Sequence, residues 1–290
     1  MKLIKPSFEI WNQPAGLEGV YKQIERVGRV CYKSEDKITE DSAKPFVDRM
    51  IKSGHGAMLE HGTVYLTAEG KNTQVLSKYQ GNKYSKLYYN TYDDYESQVP
   101  IVYVTTNLRV LVENGWLDDL QYICEPTEFH EKRITVHFVC DRGVSHEFVR
   151  HRVMSFAQES TRYCNYSKDK FGNEITFIKP CFLDDSKLAL YGPYHTVIRD
   201  KSPESIFIAS LNNAEKDYID LIDLGWKPQE ARAVLPNALK TELVMTGFVS
   251  DWNHFFDLRA RGTTGAPHPQ AKELAEPLMK EFITRKYINN

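Results

Sequence analysis

The densest concentration of groups able to do chemistry lies in residues 141–163, DRGVSHEFVRHRVMSFAQESTRY. This stretch carries Arg142, His146, Glu147, Arg150, His151, Arg152, Gln158, Glu159, Ser160, Arg162 and Tyr163 among aromatic and aliphatic side chains. Arginine grips phosphate with two parallel hydrogen bonds and stacks on flat rings, while Gln, Ser and Thr reach sugars and base edges. A charged run of this kind is ordinarily a solvated helix face. Here it follows directly on an apolar strand, and its charges sit among Phe148, Val149, Phe156 and Tyr163. Guanidinium groups half-buried in that setting need an anionic partner. On a helix, successive residues turn by about 100°, so Arg150, His151 and Arg152 would fan over about 200° and serve two ligands or one long one. Ser160 lacks a G-x-S-x-G elbow and reads as a phosphate-binding hydroxyl instead of an activated nucleophile.

Two further groups stand out. GHGAMLEHGT, residues 54–63, offers His55, Glu60, His61 and Thr63. Their spacing fits no zinc pattern, so structural histidines are the plainer reading and no metal is expected. The stretches PQEARAVLPNALKT (228–241) and SDWNHFFDLRARGTTGAPHPQ (250–270) embed Arg232 and Arg259 in apolar surroundings. That placement is costly unless a ligand anion, or a carboxylate such as Glu230 or Asp257, meets the guanidinium. Neither G-x-G-x-x-G after a strand, G-x-x-x-x-G-K-[ST] nor H-E-x-x-H occurs. A nucleotide would therefore be held by side chains instead of a glycine-rich backbone cradle.

The elements that must position these groups are legible in outline. Helical spacing marks residues 17–32 (Leu17, Val20, Tyr21, Ile24, Val27, Cys31) and a second helix through Phe46, Val47, Met50 and Ile51, ended by Gly54 or Gly56. Residues 63–68 and 133–140 alternate as strands. A turn at residues 141–143 leads into a helix over VSHEFVRHR. A longer helix spans 204–224 before Gly225, and a short one spans 228–234 before Pro236. Ser250 is placed to N-cap a helix burying Trp252, Phe255 and Phe256. A last helix follows Pro269 and is expected to kink at Pro277. Residues 70–98 are polar, hold six tyrosines and read as a surface insertion, with a ligand- or partner-binding loop as the other possibility. Without βαβ alternation the fold class is α+β. The whole of residues 1–290 is expected to form one domain.

Composition bounds the function. The 290 residues are 41% hydrophobic and 26% charged, which excludes a disordered chain. A net charge of -2 argues against a protein that coats nucleic acid. No membrane-spanning run and no signal-like start are seen, since Lys5, Pro6 and Glu9 interrupt the N-terminal stretch. Five cysteines without a C-x-x-C pair suit a reducing cytoplasm.

Arg150-His151-Arg152, seven residues, Ser160 and then Arg162-Tyr163 resemble the R-H-R-x7-S pattern of flavin-dependent thymidylate synthases. RVCYKS (29–34), GHGAMLEH (54–61), QEARAVLP (229–236) and HFFDLR (254–259) follow in that family's order, with residues 70–98 the least familiar part. The resemblance implies a central, mostly antiparallel sheet flanked by helices, in a homotetramer with active sites shared between subunits. It implies reductive methylation of dUMP to dTMP, with bound FAD, methylenetetrahydrofolate as carbon donor and NADPH as reductant. Arg150, His151 and Arg152 would contact FAD, as would Thr63 from a neighbouring chain, Gln158 and His254, and His61 would lie near flavin and folate. The dUMP contacts would be Glu147, Arg150, Gln158, Glu159, Ser160, Thr161, Arg162, Arg232 and Arg259, with Arg259 polarising the pyrimidine. Two places depart from the family pattern. Phe248 and Ser250 stand where Asn-x-Arg is common, and Ala157-Gln158 where Asn-Glu is common.

Two rival readings remain beside it. One is a thymidylate synthase with a cysteine nucleophile, Cys164 being the candidate, although no base adjoins it in sequence. The other is a nucleic-acid-binding module using the Arg/Tyr-rich segments 79–98 and 142–163.

Overall fold

The described residues form nine strands: β1 (Lys2–Ile4), β2 (Ser7–Trp11), β3 (Thr63–Glu69), β4 (Lys86–Asn90), β5 (Ile101–Asn107), β6 (Arg133–Asp141), β7 (Ser155–Gln158), β8 (Thr176–Ile178) and β9 (Lys240–Phe248). The computed structural model describes residues 1–90, 100–168, 171–188 and 202–289. The strands form three sheets where one central sheet was expected. A four-stranded sheet runs β2-β6-β9-β7, a three-stranded sheet β3-β5-β4 and a pair β1-β8. The first two are antiparallel throughout, and the pair is parallel.

The four-stranded sheet carries the site. On one face of β6, Ile134, Val136, Phe138 and Cys140 pack against Phe148, Trp252, Phe255, Phe256 and Phe282. Each fully buried ring contributes roughly 1.5–3 kcal/mol through removal from water. The opposite face meets the helix Gly16–Tyr32, whose Val27 and Val30 pack on Trp11, Ala157 and Val244. The same helix sends Val20 and Ile24 into a second core with Leu66, Tyr79, Val102 and Val104 of the three-stranded side. One helix thereby fixes both sheets. A third core, with Phe177, Ile208, Leu211, Tyr218 and Leu239, joins β8 to the helix Pro203–Asp223 and backs residues 160–166.

Several expectations need correcting. The helix after β6 is Arg142–Phe148 and stops before Arg150. Phe148 is anchored edge-on to Phe138 and Phe255, and β7 must begin at Ser155 to pair with Thr246 of β9. The intervening six residues therefore turn, with His151 N–H donating to Phe148 O and Met154 N–H to His151 O. Arg150, His151 and Arg152 sit on that turn and do not fan around a helix. Gly247 of β9 admits this turn, because a Cβ there would stand 2.9 Å from Met154 Cγ. Ser250 lies inside the helix Val249–Phe256, and Asp251 accepts the Phe248 N–H at its start. The last helix does begin where expected, as Pro269–Thr284, with Pro277 inside it.

The tyrosine-rich stretch is also more than a surface insertion. Leu76 and Tyr79 are fully buried, and β4 pairs with β5. Of that stretch, residues 91–98 lie outside those described.

Candidate active site

Arg259 is positioned by a local irregularity. After the helix Val249–Phe256, residues Asp257–Arg261 wind as a π-helical turn, closed by Gly262 at φ 72°. Single π-helical turns are costly and concentrate where a side chain must be aimed. Here the turn brings the guanidinium to the C-terminal end of Arg142–Phe148. Nη1 donates to Glu147 Oε2 at 2.6 Å, Nη2 to the Glu147 carbonyl at 2.9 Å and Nε to His151 Nε2 at 3.3 Å. Three contacts fix the plane of the group, and the helix C-terminus adds a favourable partial charge. Glu147, not Asp257 as the spacing suggested, is the partner.

His151 is buried, and burial together with the Arg259 and His254 charges pushes its pKa down to about 4. Its Nε2 accepts from Arg259, so the neutral ring carries its proton on Nδ1. His254 faces it at 6.0 Å between ring centroids. Flanking this pair, Arg150 and Arg152 are exposed and, among the described residues, hold no ion pair. Of the expected residues, Glu147, His151, His254 and Arg259 form one cluster.

The loop after β7 forms the second. Gln158 Nε2 donates to Ser145 Oγ at 2.9 Å and to Thr241 Oγ1 at 3.2 Å, linking this loop to the helix that bears Glu147. Ser160 N–H donates to the Cys31 carbonyl at the end of Gly16–Tyr32, and Ser160 Oγ accepts the Arg162 N–H at 3.3 Å. Arg232 Nη1 donates to Thr161 Oγ1 at 3.1 Å, and Arg162 Nε to Gln229 Oε1 at 3.3 Å. Two exposed guanidiniums and a hydroxyl thus surround one short loop.

Glu159 is 2% exposed, and its oxygens accept from Tyr166 OH at 3.1 Å and Lys240 Nζ at 2.8 Å. Both bonds hold the loop in place. Behind it, Glu242 accepts from Lys240 at 2.6 Å, Lys33 at 2.7 Å and His137 Nε2 at 2.9 Å. Burial alone would raise the Glu242 carboxyl, but these three donors hold it well below the usual carboxylate range.

His61 and Thr63 are likewise interior. His61 is fully buried, its Nδ1 2.8 Å from Thr246 Oγ1, and burial beside Arg133 drives its pKa to about 3. Thr63 Oγ1 accepts from Arg133 Nη1 at 3.3 Å. Arg133, the first residue of β6, escaped the sequence reading. Its other donors reach the Glu60 carbonyl and Ser155 Oγ, its Nε is buried without a partner, and burial lowers its pKa to about 10. Among the described residues it forms no salt bridge, although the Glu60 and Asp251 charges act on it. Arg133 stands between two cavities, one of about 200 Å³ toward Trp11 and Thr63, the other of about 170 Å³ toward Ser155 and Phe248. A lone arginine heading an apolar strand was the available signal.

The two depressed histidines make the fold acid-sensitive. Each binds its proton less readily folded than unfolded, so its contribution is intact above pH 6.5. As the pH falls further, that contribution is lost through about 4 for His151 and about 3 for His61, at roughly 1.4 kcal/mol per pKa unit. Thermal melts should therefore fall steadily from pH 6.5 downward. A melting temperature flat between pH 6.5 and 4.5 would contradict both assignments.

This α+β chain gathers arginines, a neutral histidine and amide side chains around short turns, groups whose chemistry suits an anionic, planar ligand. The family model of thymidylate synthase complementing proteins matches residues 114–285, more than half of the chain. The chain belongs to this family, that of the flavin-dependent thymidylate synthases. A flavin-dependent thymidylate synthase of Pyrococcus furiosus is 31% identical over 149 residues, covering 51% of this chain and 53% of the relative. One from Corynebacterium aurimucosum is 23% identical over 273 residues, covering 93% of this chain and 78% of the relative. The chain spans about half the length of the first curated relatives it matches. A crystal structure of the UMP/dUMP methylase PolB from Streptomyces cacaoi, bound with 5-Br dUMP, covers 98% of this chain and 93% of its own at 16% identity and a TM-score of 0.43. The described residues contain no cluster of potential metal ligands and no helix long and apolar enough to cross a membrane.

Proposed function

We propose that the protein methylates dUMP reductively to dTMP, taking the carbon from methylenetetrahydrofolate and reducing power from NADPH through FAD. The observation that carries the reading is Arg259, aimed by a π-helical turn and fixed by Glu147 beside a neutral His151. Transfer to uracil makes negative charge develop around N3 and O4 of the ring. A guanidinium held in place stabilises that charge more in the transition state than in the substrate. Ser160 and Arg162 on one loop, with Arg232 reaching it from the Pro228–Ala231 side, suit the nucleotide phosphate, and Gln158 suits the sugar or base edge.

The residues also fit a flavin dinucleotide. Arg150 and Arg152 are guanidiniums without ion pairs, and the orphaned Arg133 Nε lies against two nearby cavities. The bound flavin would supply the hydride chemistry. This chain's residues would orient the ligands, keep His151 neutral and exclude water. Completion of each site by neighbouring copies in a homotetramer follows the same reading, since Arg150, Arg152, Arg162 and Arg232 face outward from one chain. None of the five cysteines is in a disulfide, which agrees with a cytoplasmic setting.

No enzyme nucleophile is required. Burial pushes the Cys31 thiol up to about 11 and raises Cys124, Cys140 and Cys181 as well, so none of these four is poised as a thiolate. Cys164 is 2% exposed. Cys164→Ser should keep turnover within about threefold of wild type, in keeping with a small buried thiol; a complete loss of turnover in a folded variant would favour the nucleophile reading. The decisive test of the whole proposal is the absorbance of the purified protein. A flavin spectrum bleached by NADPH, with dTMP formed once dUMP and methylenetetrahydrofolate are added, supports it. A colourless protein that binds no added FAD rejects it.

A further inference from the structure

Between the three-stranded and four-stranded sheets lies the cavity of about 170 Å³ whose wall includes Lys83, Lys86, Arg133, Ser155, Phe248 and Asp251. Three cations on that wall meet one carboxylate. Asp251, whose Oδ2 accepts the Phe248 N–H at 3.1 Å, feels both Lys86 and Arg133 but carries one charge against three. Lys86 Nζ reaches Glu131 Oε2 only at 4.0 Å, while Glu131 Oε1 accepts from the N–H and hydroxyl of Ser250. Among the described residues, Lys83 and Arg133 form no salt bridge, and Arg133 Nε is buried without a hydrogen-bond partner. Lys86 Nζ and Arg133 Cζ lie 5.6 and 5.5 Å from the centre of the Phe248 ring, which draws both charges to the same side of the cavity. Gathering like charges around a partly closed space is unfavourable unless an anion enters.

The chain itself indicates which anion. The wall includes Val153 and Ser155, in the turn that leaves Arg150, His151 and Arg152 directly. A ligand lying along those residues would have its anionic part within reach of this cavity. Lys83 and Lys86 come from the segment leading into β4, outside the residues the family model matches. We propose that this chain uses Lys83 and Lys86, with Arg133, to receive the diphosphate of the flavin dinucleotide. The inference rests on the flavin reading given above and adds residues of the three-stranded sheet to that site. Two linked phosphates, each bearing a negative charge, match a row of separate cations better than a single monophosphate does.

The test uses full-length protein stripped of flavin, as wild type and as the Lys83→Gln/Lys86→Gln double variant. Both are titrated with FAD, with riboflavin, which lacks phosphate, and with dUMP. Both lysines are exposed, so the fold should persist, and unchanged melting temperatures check this. The double variant should bind FAD on the order of 10- to 100-fold more weakly, with riboflavin and dUMP binding unchanged. FAD binding equal to wild type overturns the lysine assignment and leaves the family reading intact. Equal losses for FAD and riboflavin, or a loss for dUMP alone, overturn the diphosphate assignment. Wild-type protein that binds neither flavin overturns the flavin reading itself, and that result is visible before any variant is compared.

Discussion

Replacing Arg259 with alanine is expected to abolish dTMP formation while leaving FAD bound. The guanidinium makes three contacts, to the Glu147 carboxylate, the Glu147 carbonyl and His151 Nε2, and all three hold it in one plane. Rigid donors aimed at developing charge need no reorganisation as the reaction proceeds, and losing one typically costs on the order of 100- to 1000-fold in rate. Arg259→Lys should recover little, because an ammonium cannot satisfy three acceptors arranged around a planar fork. The loss should fall on kcat more than on the KM for dUMP, since the interaction strengthens only as charge builds on the ring. A second consequence separates this role from simple unfolding. Burial is the larger cause of the low His151 pKa, and the Arg259 charge is the next. Removing that charge should let His151 titrate at higher pH, readable by NMR on the folded variant. Near-normal turnover in Arg259→Ala would refute the assignment outright.

What the sequence could and could not reveal divides along physical lines. Helices with one apolar face were legible: Gly16–Tyr32, Ala43–Ser53 and Pro203–Asp223 lie within a residue or so of where the spacing put them or on the residues that marked them. β6 was legible because its burial alternates. β9 was not, because eight of its nine residues are buried, so both faces are apolar or sealed and no alternation survives. β5 shows the same continuous burial. At the site, residue types announced Arg259, Arg232 and the arginine-rich turn, since guanidiniums in apolar surroundings ask for an anion. Which groups meet them is a tertiary fact. Nothing local pairs Arg259 with Glu147 across 112 positions, or ties Glu159 to Lys240. The turn at Arg150–Arg152 was misread as helix because its composition continues the helix pattern, while β7 pairing with β9 forces the chain round.

Glu242→Gln is expected to be the most damaging conservative change away from the reacting groups. Its carboxylate joins three elements: Lys33 from the end of Gly16–Tyr32, His137 from β6 and Lys240 from β9. The amide keeps the shape but removes the charge that two half-buried ammonium groups share. Removing one partner of a buried pair typically costs 3–5 kcal/mol, and the low end, about 3 kcal/mol, applies where substitutes remain. They do here, because Lys33 keeps Glu35 at 3.0 Å and Lys240 keeps Glu159 at 2.8 Å. A chain of this size should then melt roughly 6–12 °C lower. The pH dependence identifies the cause. Folding depresses the Glu242 pKa from 4.5, so its contribution is complete above that value and is lost as the pH falls through the folded one. The gap between wild type and variant should therefore be widest near neutrality and narrow on acidification below 4.5. Function should follow stability through one route. Glu159 N–H donates to the Glu242 carbonyl, and its side chain now competes alone for Lys240, so the loop bearing Ser160 and Arg162 loses part of its backing. KM for dUMP should rise several-fold with kcat little changed, the reverse of the Arg259→Ala pattern. A variant that melts like wild type at pH 7 would show that the network carries no net stability. One whose deficit stays constant from pH 7 to 3 would show that its charge is not the cause.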